Sequence, residues 1–131
     1  MNAETIADKK LKLALDNYSK VDMFEGVSLT SPEVHGPDGD TPFHMSTFDG
    51  DLEAAKAMIL YVLNIDIEGD NGNSPLHYAI IRKNKEMAKI LISAGASLLK
   101  KNDYGDTPLD YIGDDESLQD LIRVQQDKKE L

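Results

Sequence analysis

Apolar residues return at helical spacing along this chain, separated by short polar, glycine-rich breaks. From Ala3 to Tyr18 the stripe is Ala7, Leu11, Ala14, Leu15 and Tyr18, with Lys9, Lys10, Lys12 and Asp16 off it. That spacing predicts an amphipathic helix with one face to bury. Ala54, Ala55 and Ala57 are small and suit close helix-on-helix approach, while Met58 and Ile59 can fill a seam. Met87, Ala88, Ile90 and Leu91 repeat that arrangement. Near the end, Leu118, Leu121 and Ile122 predict a short last helix facing inward, with Ser117 as its expected N-cap. The polar segment from Gln125 to Leu131 is expected to fray.

The breaks between these stripes are copies of one another. Asp38-Gly39-Asp40-Thr41-Pro42-Phe43-His44, Asn71-Gly72-Asn73-Ser74-Pro75-Leu76-His77 and Tyr104-Gly105-Asp106-Thr107-Pro108-Leu109-Asp110 stand at a constant period of 33 residues. A fixed period of this size marks stacked repeats. Each copy reads as a turn followed by a helix start. Gly39, Gly72 and Gly105 can take the positive φ of a tight hairpin tip. Thr41, Ser74 and Thr107 then cap the helix, and Pro42, Pro75 and Pro108 occupy the first helical position, where a missing N–H costs nothing.

These residues resemble the ankyrin repeat, whose signature is Gly-x-Thr-Pro-Leu-His at this period. Gly50–Leu60 and Lys83–Leu98 match that family's second helix, the latter through Gly95-Ala96. Gly95 is expected to close its helix in the left-handed region. Repeat one has Val62 in that slot, so its helix must end another way or run on. The resemblance implies an all-α solenoid of stacked helix-turn-helix units joined by β-hairpin-like turns. About four repeats are expected, including degenerate terminal caps. The expected single domain divides into a capping repeat over 1–40, repeats at 41–73 and 74–106, and a C-terminal cap over 107–131. Within the first, residues 5–40 form a polar-faced degenerate repeat whose second helix, glycine stop and return strand fall at Val21–Leu29. Thr30–Pro37 is an irregular link, carrying two prolines and a glycine. In repeat three, Gly113-Asp114-Asp115-Glu116 breaks the first helix early.

Cysteine is absent, which removes disulfides, thiolate nucleophiles and zinc-thiolate sites. No apolar run is long enough to span a membrane, and the first 20 residues lack a signal peptide's apolar centre. The expected location is cytoplasmic, or exported or periplasmic where a signal peptide has been removed. The 131 residues carry 14 basic and 24 acidic side chains, a net charge of −10. Nucleic acid and anionic membrane surfaces call for the opposite sign, so neither is an expected partner. Acidity alone can serve solubility, and it can also steer a basic partner inward.

Candidate chemistry is thin. The family resemblance implies that His44 and His77 tie neighbouring turns by hydrogen bonds, while Asp110 replaces histidine in the third slot. His35 is a loop residue by default. Asp66–Gly72 resembles a calcium loop, yet Asn71 and His77 stand where glycine and glutamate are needed. Asp114-Asp115-Glu116 could be an acid cluster, but adjacent loop carboxylates more often form a solvated patch at a helix start. No catalytic residue, metal ligand or cofactor is expected.

The resemblance implies a concave docking face built from hairpin tips and first helices. Its slots are Asp38, Asp40, Phe48 and Asp49 in repeat one, and Asp70, Asn71, Asn73, Ile81 and Arg82 in repeat two. Repeat three adds Asp103, Tyr104, Asp106, Asp114 and Asp115. Phe48, Ile81 and Tyr104 are candidate anchors, with the acids as a rim. Phe48 and Ile81 could instead pack inward. The expected function is a non-catalytic binding protein, monomeric on its own, for a folded partner with a basic contact surface. An inhibitor or protective partner of an enzyme is the leading use, favoured by small size and acidity. An adaptor or scaffold is the alternative, and a metal-dependent module or enzyme a remote one.

Overall fold

The computed structural model describes residues 4–130, with side chains through Asp127. Its six α-helices are α1 (Ile6–Ser19), α2 (Pro42–Asp49), α3 (Leu52–Ile59), α4 (Pro75–Ile81), α5 (Lys85–Ser93) and α6 (Glu116–Glu130). Short 3₁₀ turns lie at Asp22–Phe24, Asp70–Gly72 and Pro108–Tyr111. Among the described residues there is no strand, and no helix is long and apolar enough to cross a membrane.

The helices stack in two rows. First helices α2 and α4 lie side by side, and the Pro108–Tyr111 turn continues their row. Each first helix folds back on its own second helix, α2 on α3 and α4 on α5. In the second row α1 lies on α3 and α6 on α5. One seam of buried apolar side chains runs between the rows. It includes Ala14, Leu15 and Tyr18 of α1, Phe43, Ala55 and Met58, then Leu76, Met87 and Leu91, and ends at Leu118 and Ile122. Each repeat therefore buries its apolar face on its neighbours rather than in a central core.

Local sequence accounts for the helix starts. The Thr41 and Ser74 hydroxyls accept the N–H groups of His44 and His77, at 3.2 and 3.3 Å. Asp51 and Asn84 cap the second helices through Ala54 and Met87. Between the two helices of each repeat the chain must pass through the left-handed region. Gly50 does so in repeat one (φ +72°), and Lys83 fills the same slot in repeat two (φ +55°). The hairpin tips use Gly39, Gly72 and Gly105, all at positive φ. Each tip closes with a backbone bond across the turn: Gly36 to Asp40, Gly69 to Asn73, Asn102 to Asp106.

The caps differ from the sequence expectation. The Val21–Leu29 segment holds only a 3₁₀ turn and no second helix. Instead α1 takes the second-row place against α3, and no first helix accompanies it among the described residues. Thr5 and Asp8 form a reciprocal capping box at its start, and the Tyr61 hydroxyl donates to Asp8. Those hydrogen bonds hold the Asp8 carboxyl below its ordinary pKa. Ala3, the expected helix start, lies outside the described residues. At the other end, Asp115 rather than Ser117 caps α6, its carboxylate accepting the Leu118 N–H at 3.0 Å. The segment from Gln125, expected to fray, is helical as far as Glu130, while Leu131 lies outside the described residues. Gly95 ends α5 at φ +101°, whereas α3 stops at Leu60 in a right-handed conformation, before Val62 is reached.

Candidate functional site

Hydrogen bonds between adjacent hairpins fix the face on which the candidate residues sit. The Thr41 N–H donates to Nδ1 of His44 at 3.2 Å, so the ring's proton is on Nε2. Nε2 then donates towards the next hairpin, to Ile67 O (2.8 Å) and Asn73 O (3.1 Å). His77 repeats the pattern, with Ser74 N–H on Nδ1 and its Nε2 on Asp106 O at 2.9 Å. Asp110 in the third slot only accepts from Thr107 N–H, within its own repeat. Burial lowers the pKa of both histidines below the ordinary value, although the Asp40 charge and the backbone carbonyls oppose it at His44. His35 stays exposed, its ring bonded to Gly39 O.

Neither the calcium-like loop nor the acid cluster assembles a site. Asp66 accepts the Ser97 N–H, Glu68 pairs with Lys100, and Asp115 caps α6. Among the described residues no group of three or more His, Asp or Glu side chains converges to hold a metal ion.

Two expected docking residues face inward, and two more, Asp106 and the α6 cap Asp115, are drawn into the fold. Asp40 is only 7% exposed, and its Oδ1 accepts both the Asp70 N–H (3.0 Å) and the Tyr78 hydroxyl (2.8 Å). Asn73 is buried and accepts from Asn102 Nδ2. Asp106 is half-buried, held by the Tyr111 hydroxyl. For Asp40 and Asn73 the reason is the same. An acid or amide beside a hairpin glycine lies within reach of the next hairpin, and a buried polar atom must find a partner. Gly69 leaves room for this arrangement, since a methyl group there would run into Asp40 Oδ1 and His44 Nε2.

The remaining residues stay at the surface. Asp38, Asp49, Asp70, Asn71, Arg82, Asp103 and Asp114 are exposed, although Asp49 also accepts from the Tyr18 hydroxyl on the α1 side. Phe48, Ile81 and Tyr104 are 37%, 40% and 69% exposed, so none is ordinary core packing. Phe48 meets the ring of Tyr78 edge-on at 5.6 Å, and the Arg82 guanidinium lies 4.8 Å from its centroid. Beside Phe48 a pocket of about 230 Å³ opens between Met23, Met45, Asp40, Asp70 and Tyr78. Sequence reasoning did not find Met23, Met45 or Tyr78. Tyr78 immediately follows the motif histidine, and that adjacency was the one signal that could have indicated it.

A family model described as ankyrin repeats, in three copies, matches residues 11–102 and 64–124 of the chain. No curated protein matches it.

Proposed function

Because the chain belongs to the ankyrin-repeat family, and such repeats are protein–protein interaction modules, we propose that its hairpin side docks a folded protein with a basic contact surface. One observation carries this reading. Phe48 remains exposed beside Asp70, and Asp38, Asp49, Asp103 and Asp114 of the expected docking set are exposed too, against Arg82 as its basic member. Half-exposed aromatics within a polar rim are the usual anchors of protein interfaces. The acids steer a basic surface in and select against acidic ones. An inhibitor or protective partner uses such a face to cover an enzyme's active-site mouth.

The test begins with a partner captured on the protein and eluted in high salt. Calorimetry on that partner should show Phe48→Ala and Tyr104→Ala each weakening binding by about 1–3 kcal/mol, with circular dichroism unchanged. Unaltered affinity in both variants would place the interface elsewhere.

An adaptor is the second reading, and one feature favours it. A groove of about 310 Å³ runs between α1 and α3, lined by Leu13, Ala14, Ala54 and Ala57 with Lys10 and Glu53 at its edges. It offers a second surface, on the opposite row from Phe48. An inhibitor abolishes its target's turnover at one-to-one stoichiometry, whereas an adaptor leaves turnover intact.

A further inference from the structure

Asp40 is the only buried carboxylate among the described residues, and half of it is unused. Its Oδ1 takes both internal hydrogen bonds, from the Asp70 N–H and the Tyr78 hydroxyl. Its Oδ2 takes none. Every fully buried side-chain nitrogen or oxygen among the described residues has a partner, so Oδ2 still reaches solvent. Asp40 lines the pocket of about 230 Å³ beside Phe48. Met23, Met45 and the Phe48 ring give that pocket apolar walls, and Asp70 adds a second carboxylate nearer the surface.

This combination specifies its occupant. A carboxylate oxygen with only limited access to water favours a donor that also carries positive charge, because opposite charges attract more strongly where the local dielectric is below that of bulk water. A polar molecule without an apolar stem leaves the Met23, Met45 and Phe48 surfaces uncovered. Lysine and arginine lay their methylene stems along apolar surface and keep a charged donor at the tip. The chain does not supply that group itself. Its ion pairs among the described residues join Lys12 to Glu4, Lys100 to Glu68 and Arg123 to Asp120, not Asp40 or Asp70. Arg82 lies over the Phe48 ring and is not part of the pocket wall.

We propose that this pocket receives one lysine or arginine side chain of the partner protein, its stem against Met23, Met45 and Phe48 and its cationic tip between Asp40 Oδ2 and the Asp70 carboxylate. The inference rests on the hairpin side being the docking face, and it adds the one-residue anchor that selects a basic partner.

The probes are the capped tripeptides acetyl-Gly-Arg-Gly-amide and acetyl-Gly-Lys-Gly-amide, titrated into the full chain and followed by ¹H–¹⁵N NMR. Peptides with citrulline or norleucine in the central position are the controls. Saturable shifts at Met45, Phe48, Asp70 and Tyr78 with the basic peptides, and not with the controls, are expected. Asp70→Asn should weaken that binding about two- to fivefold, the size of a partly exposed ion pair. Asp40→Asn keeps an oxygen for the two internal donors and removes the charge, so saturation should be lost. If its spectrum shows a disturbed fold, Asp70→Asn alone decides. Citrulline acting like arginine, shifts spread without saturation over the acidic surface, or an indifferent Asp70→Asn would each overturn the proposal. Failure of the face as a whole looks different. If Phe48→Ala and Tyr104→Ala still weaken the captured partner while the peptides stay silent, the pocket is wrong and the face stands. If the peptides saturate but the partner ignores Asp70→Asn, Phe48→Ala and Tyr104→Ala alike, the partner does not use the pocket and the proposal also falls.

Discussion

His44 and His77 are each locked in the neutral form by two opposed hydrogen bonds. A backbone N–H points at Nδ1, so a proton added there would face another proton. Burial acts in the same direction and lowers both pKa values in the folded chain. The unfolded chain thus binds these protons more tightly, and stability falls as pH drops through the gap between the two values. The urea midpoint should be level above the ordinary histidine pKa of 6.5 and decline below it. Over the range down to about pH 5 most carboxylates remain ionised, so the decline reports the histidines. Replacing His77 by glutamine should reduce that slope as well as the starting stability. A midpoint unchanged from pH 7 to about pH 5 would remove the histidines from the fold's acid sensitivity. The motif slots of these histidines were legible in the sequence, because the 33-residue period fixes the slot three residues after each Thr or Ser cap. The inward turn of Asp40 and Asn73 was not. A polar residue beside a hairpin glycine reads the same whether it meets water or the next hairpin. Only the spacing of stacked turns decides, and that spacing lets Tyr78 reach Asp40.

Elements show the same division. The first helices of the two central repeats were legible from capping residues, since Thr41 and Ser74 each mark a helix start that the structure uses. The terminal units were not. A stripe such as Ala14, Leu15 and Tyr18 says which face of α1 is buried, but not which row of the stack receives it. Likewise Asp115 and Ser117 are both competent N-caps, and the outcome turned on which side chain reaches the Leu118 N–H. The junction between first and second helix gives a direct test of element-level strain. Gly50 and Lys83 hold the same left-handed conformation 33 residues apart. A side chain there costs about 1–2 kcal/mol in backbone strain, partly offset because glycine gains freedom in the unfolded chain. Lys83→Gly should therefore stabilise by up to ~1 kcal/mol and raise the thermal midpoint. Gly50→Ala should do the reverse, since its methyl group would also lie 2.9 Å from the Asn84 amide. Thermal denaturation of both variants checks the pair, and shifts of the same sign would refute the assignment of strain to this slot.

At the scale of the whole molecule, stacking turns a periodic sequence into a periodic surface. The backbone bond from Asp103 N–H to Asn71 O and the side-chain bond from Asp70 N–H to Asp40 hold successive hairpins side by side. Exposed acids at one position per hairpin therefore become a row, and the net charge of −10 places that row in a field of its own sign. Stacking has a second consequence on the opposite edge. Glu33 and Asp66, one period apart, each accept backbone N–H groups of the next repeat's turn, at Leu63 and Asn64 and at Ser97. Glu33 and Asp66 are consumed by the fold, while Asp70 beside Phe48 keeps an exposed side chain with which to meet a partner. Such a division of labour makes the encounter electrostatic and the grip local. Charges separated by more than a few ångström act mainly on the association rate and are screened by salt, whereas desolvated contacts govern dissociation. Raising sodium chloride from about 0.05 to 0.5 M should therefore lower the on-rate for the captured partner by about tenfold or more, with a much smaller change in the off-rate. Phe48→Ala should show the opposite signature, a faster off-rate at nearly constant on-rate. Surface plasmon resonance separates the two. An on-rate indifferent to salt would mean that the acidic row serves solubility alone, and that the partner is selected by shape rather than by charge.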